Sequence, residues 1–430
     1  MSGFLSCGVK LAEPVSMRRG NPAMTRELGQ FGSSFQWRLA IVALACAVLG
    51  HGLTKSGMAQ AAETAFVATP VGPPVVVFDP GRDACDGHDV ADVPLRAWRG
   101  ADGQIHAFAL HYENRRLSGK SLLGLKIECP VVFRGNGNGD PKKYDDRIWI
   151  AATWTRDGKA VSALAHHEFQ ANNHQGRCRF PEYMKCWWNS VLRLRSADGG
   201  RRFASAPSQV AMATPFTQDV DQGRHRGFFN PSNIVEKDGA YFTLVGTTGW
   251  SGQPGGVCLF RTDDPGSGDW RGWTGKSFTA RFPDPYVGHL PPGQTCRTLM
   301  PFPAPVGAIV RHRESGKYLA IYQASAGAPD GMGGVLAAPG FYLTASANLT
   351  EWSQPTLVLP TKSYYDDACG AGTIRNYPVL IDEGAEGRNF DNVGKEALLF
   401  FAETRVEGCH HTSDRKLIAR KVRISTFMRQ

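Results

Sequence analysis

The chain has 430 residues, including 49 Gly, 27 Pro and 10 Trp, and 10% of its side chains are aromatic. That composition can fill a large core and excludes a chain disordered throughout. The formal charge of +9 is spread without a dense Lys/Arg stripe or a recognised binding motif, so no nucleic-acid partner is expected.

Arg38 precedes the apolar run Leu39–Gly50, which is too short to span a bilayer as a settled helix. Ala59-Gln60-Ala61 supplies the small-x-small pattern of a cleavage site. Residues 1–61 thus read as a signal peptide with a preceding segment, cut after Ala61. The stretch before Arg38 is long, so Met17 and Met24 are alternative starts, and an uncleaved N-terminal anchor is the alternative to cleavage. No later stretch is long and apolar enough to be an integral membrane segment, and a periplasmic or secreted location is expected. Removal of this segment leaves a charge of about +5. It also removes Cys7 and Cys46 and leaves Cys85, Cys129, Cys178, Cys186, Cys258, Cys296, Cys369 and Cys409. An even count in an exported chain predicts disulfides. Cys178 and Cys186 are close enough to staple one loop. No Cys/His spacing suits structural zinc.

Residues 62–84 read as a lead-in and 85–430 as a single domain. Short β-like runs follow one another: Gln104–Leu110, Arg147–Thr153, Ala240–Val245, Val257–Arg261, Gly307–Val310, Tyr318–Tyr322 and Ala397–Phe401. Their alternation and their β-branched and aromatic content suit antiparallel strands, and helical periodicity is nearly absent. Asp-Gly or Ser-Gly turns at Asp102-Gly103, Asp157-Gly158, Asp238-Gly239 and Ser315-Gly316 lead into extended runs, as tight hairpins require. A second unit recurs as Ser196-x-Asp198-x-Gly200-x-x-Phe203, Thr262-x-Asp264 running on to Trp270, and Ser346-x-Asn348 running on to Trp352. In each, the short polar side chains can bond back to turn amides while the aromatic plugs the space beside the next strand. Five such units are counted, roughly 85–130, 145–210, 225–280, 300–360 and 370–425. The fold class predicted is all-β, a five-bladed β-propeller of four-stranded antiparallel sheets, with a β-sandwich or β-helix as rivals.

Asn230-Pro-Ser-Asn-Ile-Val-Glu-Lys-Asp-Gly-Ala-Tyr241 resembles the blade-opening pattern of the five-bladed furanosidase-type glycoside hydrolases, the group of arabinanases, xylosidases, levansucrases and invertases. Asp92-Val-Pro-Leu-Arg-Ala-Trp98, followed by Asp102-Gly103, resembles their first-blade version, and Ser196–Phe203 resembles the Asp box of sialidases. The resemblance covers most of residues 85–425 through short motifs. It departs at Asn230, where the family places an acidic residue that tunes the catalytic acid. A late His in that family often helps to hold a central ion. The resemblance therefore points to His410 or its neighbour His411 and to a structural calcium ion. No organic cofactor is implied.

Hydrolysis of a glycosidic bond needs one carboxyl group to protonate the departing oxygen and another to act on the far face of the sugar. Asp92, at the opening of the first unit, is the candidate base. Glu168, in His166-His167-Glu168-Phe169, is the candidate acid, because burial favours the protonated form. A third carboxylate stays open among Asp146, Asp221 and Asp284. Asn230 and Asn233 are suited to bond sugar hydroxyls, or else to hold blade turns. Arg96, Arg297 and Arg375 would clamp a carboxylated sugar if they converge, and otherwise are separate structural pairs. Trp188 and Trp250, placed in loops, are candidates to stack on a sugar face, with blade core as the rival role.

The expectation is an exported glycoside hydrolase acting on a furanose or related sugar linkage in a polysaccharide or oligosaccharide. The first alternative is a non-catalytic carbohydrate-binding or envelope-interaction propeller, which Asn230 favours. The second is a sialidase-like or lyase-like enzyme on acidic sugars. Sugar identity, linkage and assembly are not written in these motifs.

Overall fold

The computed structural model describes residues 63–266, 269–288 and 294–429. The expected signal peptide, its cleavage after Ala61, and Cys7 and Cys46 lie outside the described residues.

Five blades of mainly antiparallel strands follow in chain order and form a five-bladed β-propeller, the second and third joined by a parallel pairing of Arg226–Phe229 with Trp187–Ser196. The first holds Ala91–Arg99, Ile105–Leu110, Arg115–Gly119 and Lys126–Val131, and the second Arg147–Thr155, Val161–Gln170, Trp187–Ser196 and Ala204–Met212. The third runs from Arg226–Phe229 and Val235–Lys237 through Ala240–Thr247, Gly256–Thr262 and Arg271–Trp273 to Phe278–Ala280. The fourth holds Val306–His312, Tyr318–Ala324, Gly340–Ser346 and Thr356–Pro360. The fifth is made of Thr373–Ile381, Glu396–Glu407, His410–Arg429 and, from the start of the chain, Glu63–Phe78.

That last pairing closes the ring. Residues 63–78, which read as a lead-in, lie antiparallel along the C-terminal strand from Glu63↔Arg429 to Phe78↔Leu417. The first strand of the first blade packs on the first strands of the second and fifth blades, as a radial arrangement demands. Apolar layers fill the spaces between neighbouring blades: Trp98 and Phe108 of the first blade pack with Ile150 and Trp188 of the second, and Leu244 of the third packs with Ile309 and Tyr322 of the fourth. Fully burying each such side chain stabilises the fold by about 1.5–3 kcal/mol.

The recurring turns do what their chemistry predicts. Asp198 accepts from the amides of Arg201 and Arg202, Ser196 Oγ accepts from Gly200 N at 2.9 Å, and Phe203 packs edge-on against Phe108 of the first blade. Asn348 and Ser346 repeat this pattern with Thr350, Glu351 and Leu349, and Trp352 packs on Phe302. Cys178–Cys186 forms the expected staple, joined by Cys85–Cys129, Cys258–Cys296 and Cys369–Cys409. Among the described residues, no helix is long and apolar enough to cross a membrane.

Polar side chains lock the blades at the axis. Arg96 is buried and donates to Ala151 O of the second blade, Pro231 O before the third-blade hairpin and Gly307 O of the fourth, the last at 2.8 Å. Asn114 bridges the first and second blades through Ile148 O and Ile150 N. Asn233 pairs both ways with Ile309, at 2.8 and 2.7 Å. Gln323 accepts from Tyr377 N and donates to Asn376 Oδ1 in the fifth blade.

Candidate functional site

The axial ends of the first, second and fifth blades bring one group of ionisable and aromatic side chains together. Strand alternation decides which ones. In Val161–Gln170, His167 is fully buried against Ser190, while His166 and Glu168 face the other way. Across the ladder, Arg147 stands opposite Glu168 and Trp149 opposite His166. Those four side chains share a face with Asn189 and Trp187 of the next strand. Asp92 and His111 of the first blade and Arg415 of the fifth meet them: the His111 ring is 5.6 Å from that of Trp149, Asp92 pairs with Arg415, and Asp92 feels the Glu168 charge. The space they border is the candidate pit. Below them, Pro94, Asn230, Gln323, Tyr365 and Tyr377 line a small axial cavity.

Asp92 is an ion pair in a nearly closed setting. One oxygen takes Arg415 Nη1 at 2.7 Å and the other faces His111 Nε2 at 3.4 Å, with 14% of the side chain exposed. Burial pushes its carboxyl up to about 6; the Arg415 charge opposes this, and the Glu168 charge adds to it. The Trp149 indole N–H pulls weakly in the ionising direction, although its geometry closes no hydrogen bond. His111 stays neutral over the ordinary range, because burial and then Arg415 bring it down to about 4.

Glu168 has the opposite balance. Burial raises it, but bonds from His166 Nε2 at 2.8 Å and Gln170 Nε2 at 2.7 Å, together with the nearby His225, outweigh burial and hold it below the usual range. The His166 tautomer follows from its other nitrogen. Nδ1 accepts the Asn230 amide at 3.2 Å, so the hydrogen sits on Nε2, where it donates to Glu168. Asn230 adopts φ +46 to place that amide. His225 Nε2 donates to Asn189 Oδ1 at 2.7 Å, and burial brings the imidazole down to about 4. The second and third blades close up here because residue 227 is Gly: a Cβ would stand 1.9 Å from Asn189 O.

Asp92 and Glu168 thus feel each other's charge across one pit, but their electrostatics run opposite to the sequence expectation. Glu168 is the carboxylate held ionised, because burial is offset by hydrogen bonds that sequence does not show, and Asp92 is the one pushed toward its protonated form. Asn230 lines the axial cavity, whereas Asn233 spends its amide on the Ile309 backbone between blades.

The three arginines do not converge. Arg96 is sealed on the axis, where burial alone brings it down to about 9. Arg297 is exposed beside Gly275 of the third blade, and Arg375 pairs with Glu403 at 2.7 Å within the fifth. Trp188 is 1% exposed and bonds Thr214, and Trp250 packs on Phe228, Phe216 and Phe282. Both belong to blade cores. The third-carboxylate candidates are engaged in the scaffold: Asp146 with Gln170 N and His174, Asp221 with Arg226, Asp284 with Tyr144. His410 is exposed at the hairpin between the last two strands, and among the described residues no group of three or more His, Cys, Asp or Glu side chains is arranged to hold a metal ion.

Arg147, Arg415, His111, Tyr183, His225 and Tyr377 are the functional candidates that sequence reasoning missed. The only advance signal was alternation around Glu168 and in Arg147–Thr155, which places Arg147 and Trp149 on the same face.

No family model matches the chain, and no curated protein is similar to it in sequence. Among solved structures, a family 117 glycoside hydrolase of Zobellia galactanivorans is similar over 83% of this chain and 90% of its own, with 8% identity and a TM-score of 0.46. The catalytic domain of a GH62 α-L-arabinofuranosidase of Coprinopsis cinerea is similar over 83% of this chain and 97% of its own, with 9% identity and a TM-score of 0.44. An α-L-arabinanase variant of Cellvibrio cellulosa is similar over 76% and 90%, with 11% identity and a TM-score of 0.43.

Proposed function

We propose that the protein is an exported glycoside hydrolase, working in the periplasm or outside the cell, that cleaves a furanose or related sugar linkage in its axial pit. The carrying observation is the Asp92–Glu168 pair: two interacting carboxyl groups whose surroundings drive one toward the protonated form and the other toward the ionised form. Such a split assigns acid and base in carboxylate chemistry. Asp92 then gives its proton to the departing glycosidic oxygen as the C–O bond breaks. Glu168 takes a proton from the water whose oxygen bonds the anomeric carbon. Arg415 stabilises the carboxylate that Asp92 becomes. No organic cofactor or metal enters these steps.

The test is hydrolysis of arabinan and of an aryl arabinofuranoside with a good leaving group. Asp92→Asn should lose turnover on arabinan and keep much more on the aryl substrate, which needs no proton donor. Glu168→Gln should lose both. Equal loss on both substrates in Asp92→Asn would return that residue to the role of base, and unchanged turnover in both folded variants would remove the mechanism.

A second reading, carbohydrate binding without turnover, is favoured by Asn230 and by the bonding of the carboxylates: every Asp92 and Glu168 oxygen already faces a protein partner. Saturable oligosaccharide binding with no product from the parent protein would select it.

A further inference from the structure

Arg147 opens the second blade, and no step above uses it. It stands across the ladder from Glu168, so its side chain shares the pit face. Its guanidinium lies 5.4 Å from the centroid of the Tyr112 ring. Among the described residues, no carboxylate lies within ion-pair distance of it. The other cations here are committed: Arg415 to Asp92 at 2.7 Å and Arg96 to backbone carbonyls. A half-buried guanidinium with its face stacked and its fork open has lost hydration without a protein partner in return. That fork matches a carboxylate through two parallel bonds.

Tyr183 borders the same spot. Burial and then the Glu168 charge raise its phenol while Arg147 opposes them, its ring packs edge-on to Trp187 at 4.8 Å, and 58% of the residue is open to solvent. The Cys178–Cys186 staple ties down the loop that carries it. An anion placed here would be repelled by ionised Glu168, so its binding depends on the Arg147 charge, whereas a neutral sugar meets no such requirement.

We propose that this corner of the pit is an anionic subsite, in which Arg147 takes the carboxylate of a uronic-acid residue and Tyr183 flanks the ring, so that the carbohydrate recognised is a carboxylated one. This rests on the carbohydrate reading above and narrows its substrate class.

The test is calorimetric titration of the mature protein at low salt with trigalacturonate, glucuronate-substituted xylotriose and, as neutral probes, arabinotriose and xylotriose. Chromatography afterwards establishes whether each ligand is intact. At least one uronate probe should bind tenfold or more tighter than the neutral ones. Arg147→Gln should weaken that binding by roughly 10- to 100-fold, the range expected for a charge-assisted bond, and leave neutral binding within about twofold. Arg147→Lys, which keeps the charge and the cover over Tyr112, should retain the fold and regain only part of the affinity. Uronate binding no tighter than neutral binding, binding of no probe, or an equal loss for all probes in a folded Arg147 variant would overturn the subsite. Arabinan cleavage with uronates ignored would remove this inference alone, and uronate binding without turnover would remove only the hydrolase reading.

Discussion

The second and fourth blades occupy similar places around the axis but present different chemistry to it. The second offers Arg147, Trp149, His166, Glu168 and Asn189 on one face. The fourth offers backbone and amide: Gly307 O receives Arg96, and Gln323 holds Tyr377 N and Asn376. Even Gly307 serves closeness, since a Cβ there would meet Pro378 O at 1.8 Å. Radial repetition supplies equivalent positions, and the side chains at the axial strand ends divide them into a reactive wall and a mechanical one.

The largest expected effect sharpens that division. Glu168→Gln or Asp92→Asn should lower turnover per folded molecule on the natural linkage by about 10²–10⁴-fold, the usual span for loss of a general acid or base; Asp92→Asn should also lower the melting temperature, because it leaves Arg415 without its carboxylate. The pH profile gives the sign. Asp92 must be protonated and its carboxyl lies at about 6, so activity falls as pH rises through that value. Glu168 must be ionised and is held low, so activity falls on the acid side only below the ordinary carboxylate range. The parent should show this basic limb on arabinan and lack it on the aryl substrate, which needs no proton donor.

Next is the axis. Arg96→Met strips donors from carbonyls of three other segments in a buried place, and should cost about 3 kcal/mol or more of unfolding free energy in denaturant titrations. A smaller loss of about 1–2 kcal/mol is expected for Gln323→Ala, which leaves Tyr377 N without its acceptor. If the fourth blade is mechanical, turnover per folded molecule should change less than about threefold; a loss comparable to that of Glu168→Gln would break the comparison. Smallest of all, the ring signals of His111 and His225 should stay constant in NMR between pH 6 and 8, because burial brings both down to about 4.

Much of the scaffold was legible in the chain. Tight Asp-Gly turns and polar-then-aromatic turns are local chemistry, written within ten residues, and their recurrence marks out the blades observed. Cys178 and Cys186 were legible for the same reason. Residues 63–78 were not: Val75 and Val76 are half-open on an outer strand, and their partner lies at the far end of the chain. Which alternative holds for the arginines and the tryptophans was illegible on similar grounds. Nothing near Arg96 in sequence tells of three carbonyls from other blades, and nothing near Trp188 shows whether alternation turns it into the core or, like Trp187, toward the pit.

By itself, then, the sequence determined the class of structure and nominated Asp92, Glu168 and Asn230, because strand alternation, turn chemistry and cysteine spacing act over short range. Only the tertiary structure decided which carboxyl burial raises and which one hydrogen bonds hold low, which arginine at the pit has no ion-pair partner and which amides are locks. Those properties are set by burial and by partners from other blades, such as Arg415 on Asp92 at 2.7 Å, and such partners are brought within reach only when the ring closes.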